Sequence, residues 1–463
     1  MLDLVSSLGS RDCSGVTRRD VLQVGALGGL GWTLSSLLDL KARAASSGRT
    51  FVRPGKSVVM LFLTGGASQI ETFDPKMDAP AGVRSVTGEL ATSLPGVTFG
   101  GTLPNLARLA QRLAVVRSFT HHESDHTRAV ELVTRGSNPT EAGMGSVVAR
   151  LRGANHGQTG IPTHVYLSAN EVDRQFNKER LRLLTADGPG DLGSAYAPFD
   201  PRGDGPANEN MKLSLPGARI TDRRSLRRSL DRLSRALDRG DLMASLDKYE
   251  QQAYDLILGK AWEAFDLSTE DPKILGRYDT SHFTTGISAD RSSTLGEQLL
   301  LARSLCEAGC GFVTIHNPGW DMHGGPRQYA MPDGMEGLGR PVDHAVSAFV
   351  EDVEQRGLSD DILFILTGEF GRTPKVKTNG GRDHWPRLST LAFSGGGFRM
   401  GQVIGQSAPN AGEPAARPIT LAHLYATVLH FLFDVPELRL LPDIPGGIAR
   451  SLEASEPISE LLQ

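Results

Sequence analysis

The chain has 463 residues, 39% hydrophobic and 22% charged, which is enough for one large α/β domain or two ordinary ones and excludes a disordered protein. Its 49 basic and 53 acidic residues give a formal net charge of -4 and are spread along the sequence. No basic stripe suits nucleic acid, no acidic tail forms a solvating segment, and the 3 cysteines make no disulfide framework.

Residues 1–44 read as a signal peptide. Arg18 and Arg19 directly precede a weakly apolar, glycine-rich run over 21–38, and Ala42-Arg43-Ala44 supplies a small-x-small cleavage pattern. This resembles a twin-arginine export signal, which makes the twin-arginine machinery a partner and the periplasm the destination of a mature domain over 45–463. A retained anchor is the alternative, although the run is at the lower limit for spanning and is diluted by glycine and serine. Cys306 and Cys310, four apart near an expected helix end, could pair in an oxidising compartment; burial as small hydrophobes is the preferred reading.

Residues 57–63, SVVMLFL, form an unbroken apolar run ending at Gly65-Gly66, as expected of a strand buried on both faces that opens into a loop. Leu106, Leu109, Ala110 and Leu113 lie at helical spacing and predict an amphipathic helix over 103–113, followed by a strand over 114–119. Residues 169–292 break the alternation with a Gly/Pro/Asp-rich stretch and two helical segments, 222–239 and 241–265, and predict an inserted helical cap. Beyond it the pattern predicts a helix over 295–308, a strand over 311–316, a helix over 342–356, strands over 361–367 and 388–393, and an apolar closing helix over 421–433. The alternation implies an α/β fold with a mostly parallel central sheet and helices on both faces.

In such sheets ligands bind beyond the carboxyl ends of the strands, and four polar clusters fall there. The first strand is followed by Glu71 and Asp74, the second by Ser124, Asp125, His126 and Arg128. The strand ending at His316 is followed by Asp321 and His323, and the next by Glu369, Arg372 and the stretch GRDHWPR with Arg382, Asp383 and His384. A single loop histidine is more often solvated than a ligand. Histidines and carboxylates converging from four loops suit Zn2+ or a similar divalent ion, and two ions about 4 Å apart would clamp the oxygens of a phosphoryl or sulfuryl transfer.

The motifs GGASQIETFDP, VVRSFTHHESDH, GWDMHGG, LTGEFGRTPK and GRDHWP, in this order, resemble an uncharacterised domain family of exported bacterial proteins that is itself similar to the alkaline phosphatase/sulfatase superfamily. The resemblance implies an alkaline-phosphatase-like fold and a divalent metal, Zn2+ foremost with Ca2+ or Mg2+ as alternatives. It implies one ion on Asp321, His323 and His384. For a second ion the superfamily uses an Asp after the first strand and a later Asp-His pair; here Phe370 stands where one ligand is expected, which leaves Glu369, Asp383 and one of Glu71 or Asp74 for a weaker site. Ser124 falls at the position of the sulfatase nucleophile, with His126 in place of a proline. Equally, Asp125 and His126 are ligands and Ser124 is a helix N-cap.

Three functions fit this sequence. One is an exported metal-dependent hydrolase of phosphate or sulfate esters, small-molecule or polysaccharide, in which Ser124 or a metal-bound water attacks and Arg128, Arg372 or Arg382 stabilises the equatorial oxygens. A second is a non-catalytic binding or scaffold protein that keeps the fold, and a third is a metal-free hydrogen-bonded knot of loops. In GRDHWPR, Asp383 should diverge from His384 and face a metal or one of Arg372, Arg382 and Arg387, while Trp385 and Pro386 pack to stiffen the loop.

Overall fold

The computed structural model describes residues 51–136, 138–168, 175–201, 261–287, 290–441, 444–454 and 456–462. The expected signal over 1–44, the helical segment over 222–239 and most of that over 241–265 lie outside the described residues; of the last, Ala261–Phe265 forms a 3-10 helix. The chain divides into two compact units, a larger one of residues 54–432 and 446–463 and a smaller one of residues 1–53 and 433–445. Within the smaller, the Asp434 amide donates to the Phe51 carbonyl at 2.7 Å and Phe51 stacks on Phe433.

The larger unit is built on a seven-stranded sheet. Its strands in chain order are β1 (Ser57–Leu63), β2 (Ala114–Val116), β3 (His164–Ser168), β4 (Phe312–Asn317), β5 (Ile362–Thr367), β6 (Leu391–Gly395) and β7 (Gln402–Ile404). In space they run β7-β2-β6-β5-β1-β4-β3, all parallel except β6. The central place of β1 accounts for its sequence: paired on both edges, every one of its side chains is buried, and each buried Leu, Val or Phe contributes about 1.5–3 kcal/mol.

Helices α1 (Gln69–Thr72), α2 (His126–Arg135), α3 (Met144–Arg152), α4 (Leu295–Glu307), α5 (Arg340–Gln355) and α6 (Leu421–Leu432) surround the sheet. Side chains of α4 and α5 join Val59, Leu61 and Leu63 in one core cluster. The other face of β1, with Val58, Met60 and Phe62, is equally buried, and α3 packs against β3 and β4. The helix expected over 103–113 is instead broken, with Pro104–Arg108 helical and Ala110–Arg112 a 3-10 turn, and the strand after it stops at Val116. Cys306 and Cys310 are both free and buried, so the disulfide alternative is not realised.

The register places the site. Phe62 pairs with His316 and with Thr367, so β1, β4 and β5 end level and their loops leave from one edge. Because β6 runs antiparallel, with Leu391 opposite both Thr367 and Val116, the 368–390 segment starts and finishes at that same edge. Within it Gly371–Arg372 pairs with His384–Trp385 as a short antiparallel ribbon. The ribbon returns GRDHWPR to the strand ends.

Candidate metal centre

The turn after β1 is made by Gly65 and Gly66, with φ of 116° and 88°. A Cβ at Gly65 would overlap the backbone of Trp320 and Asp321, and one at Gly66 would overlap Phe370. Glycine is required here because two neighbouring loops close directly onto the end of β1.

Five side chains from three segments meet there. Around Asp321 Oδ1 lie Arg372 Nη2 at 2.7 Å, His323 Nε2 at 3.0 Å, His384 Nε2 at 3.2 Å and His126 Nε2 at 3.5 Å. The Nε2 atoms of His323 and His384 are 2.9 Å apart. Ligands of a tetrahedral ion with bonds of about 2.0–2.2 Å lie about 3.3–3.6 Å from one another; the His126–Asp321 separation falls in that range, and those of His323 and His384, at 2.9–3.2 Å, are shorter. His126, Asp321 and His384 can each offer one atom with all three within 4.8 Å of one another. Their side chains keep 19%, 27% and 24% exposure, which leaves the centre open to solvent.

Each histidine is oriented by its other nitrogen. Nδ1 of His126 faces Glu369 Oε1 at 2.7 Å, Nδ1 of His323 faces Asp383 Oδ1 at 2.8 Å, and Nδ1 of His384 faces the Ser124 carbonyl at 3.0 Å. All three partners accept, so each Nδ1 carries the proton and donates. In a neutral ring Nε2 then bears a lone pair, and three such lone pairs converge on a carboxylate oxygen. That arrangement suits a cation at its middle, beside the positive charge that Arg372 already places 2.7 Å from Asp321 Oδ1. In the protein without an ion, a proton serves: desolvation pulls His126 down, but its bonds to Asp321 and Glu369 outweigh this and raise it to about 9. Burial pushes the Asp321 carboxyl up, yet the three histidines and Arg372 overcome it and hold the group well below the carboxylate range.

The expected residues divide accordingly. Asp321, His323, His384 and His126 come together, whereas Glu369 and Asp383, expected as ligands of a second ion, are turned onto histidines. Glu369 is fully buried and takes the Gly65 amide on both oxygens, at 2.8 and 3.0 Å; Asp383 takes Lys377 at 2.9 Å and faces none of the arginines. Glu71 is withdrawn into a network with the Ser85 hydroxyl, the amides of Val86 and Thr87, and Arg382 at 2.9 Å. Asp74 is buried against Lys76 and Arg117 and accepts from Ser407. Asp125, rather than Ser124, caps α2, accepting the Thr127 and Arg128 amides. Glu71 and Asp74 are engaged on both carboxylate oxygens, whereas Asp125 is exposed and uses only Oδ1 for its cap.

Arg372 and Arg382, expected to face substrate, are both 0% exposed. Arg372 donates to the carbonyls of Gly65, Gly66, Trp320 and Arg382 besides Asp321. Arg382 donates to the carbonyls of Thr373, Pro374, Val83 and Arg84 besides Glu71. Both tie loops together. Trp385 packs on Ile70, Leu388 and Ala411 and donates to the Gly412 carbonyl at 2.6 Å. Phe370, fully buried, lies with its ring 4.9 Å from that of His126 and 4.5 Å from that of His384, an apolar wall to the centre. Gln328, which donates to Asp321 Oδ2 at 2.7 Å, carries no sequence signal and was not foreseeable.

No curated protein sequence matches this chain. Among solved structures it is similar to the PsFucS1 sulfatase from Pseudoalteromonas sp. (13% identity, 86% of this chain and 70% of that one, TM-score 0.32). It is also similar to the phosphonate monoester hydrolase SpPMH from Silicibacter pomeroyi (11%, 81% and 73%, 0.32) and to a TAB5 alkaline phosphatase mutant (11%, 82% and 99%, 0.32). Nothing in the geometry above rests on these likenesses. A family model described as "Protein of unknown function (DUF1501)" matches residues 55–447, and the chain belongs to that family.

Proposed function

We propose that this protein is a metal-dependent hydrolase of phosphate or sulfate esters that uses a single divalent ion held by His126, Asp321, His323 and His384. The observation that carries the reading is the convergence of three Nε2 lone pairs on Asp321 Oδ1, each ring pinned by a donating Nδ1. Imidazole-rich donors suit Zn2+ better than Ca2+ or Mg2+, which favour oxygen. Such an ion, when bound, supplies Lewis acidity toward an ester oxygen and toward water.

The chain's own residues supply the rest. Asp383 and Glu369 fix the tautomers of His323 and His126, and Gly65 fixes Glu369. Of the three arginines expected at the site only Arg128 is exposed, two residues past His126 on α2, so contact with an anionic ester falls to it. Ser124 is exposed and its carbonyl already meets His384, which makes its hydroxyl the nucleophile of this proposal, with small-molecule or polysaccharide esters as substrates. Export to the periplasm by the twin-arginine machinery is part of the same reading, resting on Arg18 and Arg19. Among the described residues no helix is long and apolar enough to cross a membrane.

The test is metal analysis of the purified protein together with hydrolysis of p-nitrophenyl phosphate and p-nitrophenyl sulfate. The expected result is bound ion that is lost, along with any esterase activity, in His384→Ala and His126→Ala. A second reading, a binding protein that keeps the fold without catalysis, is favoured by the Phe370 wall and by Arg372 seated on Asp321. Bound ion with no turnover of either ester in wild type supports it; absence of ion in a well-folded wild type sinks the hydrolase.

A further inference from the structure

Arg372 has a place that the ion-binding reading does not use. It is fully buried, its Nη2 lies 2.7 Å from Asp321 Oδ1, and its Nη1 lies 3.5 Å from His323 Nε2. Four backbone carbonyls, of Gly65, Gly66, Trp320 and Arg382, hold the guanidinium on its other sides. Carbonyls from three loops and one carboxylate, gathered around a group with no access to water, form a cation site whose occupant is covalently attached. Burial pulls the guanidinium's pKa below the ordinary arginine value and Asp321 opposes that pull; its donors are used up, so it cannot turn toward a ligand in the open centre.

The carboxylates nearby are spoken for. Glu369 serves the Gly65 amide and His126, and Asp383 serves His323 and Lys377. The remaining wall of the centre is the Phe370 ring, which offers no ligand atom and has the Arg372 guanidinium carbon 5.8 Å from its centroid. Arg372 therefore places a second positive charge beside Asp321, on the side where the Phe370 ring offers no donor for a second ion.

We propose that Arg372 is a positioning residue that acts as a built-in second cation: it neutralises Asp321 permanently, limits the centre to one divalent ion, and weakens the hold on that ion by repulsion. This rests on the single-ion reading above. Two effects of removing the guanidinium oppose each other. Losing its bonds loosens the loops that aim Asp321, which weakens ion binding; losing its charge removes repulsion against a divalent ion a few ångströms away, which strengthens it. At an effective dielectric constant of about 20, a unit charge at such a distance is the larger effect, so charge should prevail.

The experiment compares Arg372→Gln with Arg372→Lys in the full chain. Both lose the forked contacts, but only the lysine keeps the charge. After chelator stripping, Zn2+ is titrated calorimetrically, with metal content measured on the same samples and thermal unfolding followed in parallel to compare the folding of the two variants. The expected outcome is one Zn2+ per wild-type chain and binding by Arg372→Gln at least about tenfold tighter than by Arg372→Lys, or a second equivalent taken up by Arg372→Gln alone. Equal affinities in the two variants, or weaker binding by Arg372→Gln, would mean that Arg372 is merely structural and overturns the proposal while the single-ion reading stands. Two ions bound by wild type overturn it even if neither variant folds. No ion bound by any of the three overturns both.

Discussion

Asp383 and Glu71 are carboxylates of the same loop cluster with opposite duties, and substitution should separate them. Asp383 is 54% exposed and orients His323 from outside the centre. Asp383→Asn should lower Zn2+ affinity by about 10–100-fold, the usual cost of losing a ligand's orienting partner, while unfolding free energy stays within about 0.5 kcal/mol of wild type. Glu71 and Arg382 are both 0% exposed, so Glu71→Gln leaves a guanidinium buried without its counter-charge. The expected loss is about 3–5 kcal/mol in denaturant unfolding. If Asp383→Asn instead destabilised the fold and spared the ion, the assignment of the two residues would be reversed. The buried thiols provide a check on the core: burial pushes Cys310 up to about 12 and Cys306 in the same direction. Both stay protonated at pH 8, and a thiol reagent should label neither in the native protein, whereas denaturant should expose both.

The loops converge because of two features of the elements that carry them. One is the antiparallel β6, which turns the 368–390 segment into an out-and-back excursion at the edge where β1 and β4 also end. The other is the Gly65-Gly66 turn, which lets the Trp320–Asp321 backbone and Phe370 approach the end of β1. Gly65→Ala introduces a Cβ at a φ of 116° against peptide atoms that have no room to withdraw. It should cost about 1–3 kcal/mol from backbone strain alone and displace Asp321, so that stability in urea and Zn2+ binding fall together. Retained ion binding in a destabilised Gly65→Ala would show that the turn supports the fold without aiming the ligand. The segment expected as one helix over 103–113 shows the converse at element scale. Its apolar residues are all buried as the periodicity requires, but Leu109 lies between a short helix and a separate 3-10 turn and Leu113 just past that turn.

For the whole molecule, the open question with a direct answer is export. Changing Arg18 and Arg19 to lysine keeps the charge and removes the paired guanidinium groups, and should abolish accumulation in the periplasm; normal export of the double mutant would exclude the twin-arginine route. What the sequence determined by itself was the class of fold and the edge of the sheet at which the candidate site assembles. An unbroken apolar run such as SVVMLFL has few places to go other than a strand covered on both faces, and strands alternating with helices lead to a parallel sheet whose loops share an edge. Asp321, His323 and His384 were legible for the same reason, since short loops at one edge cannot stray far. The tertiary structure alone decided what each charged residue does. Glu369, Asp383, Glu71 and Asp74 have the same functional group, and Arg128, Arg372 and Arg382 share another; no local pattern distinguishes a ligand from its orienting partner, or an exposed anion contact from a buried tie. Those roles follow from which partners lie within about 3 Å and whether water reaches the group, and both are set by residues 51 to 311 positions away in the chain.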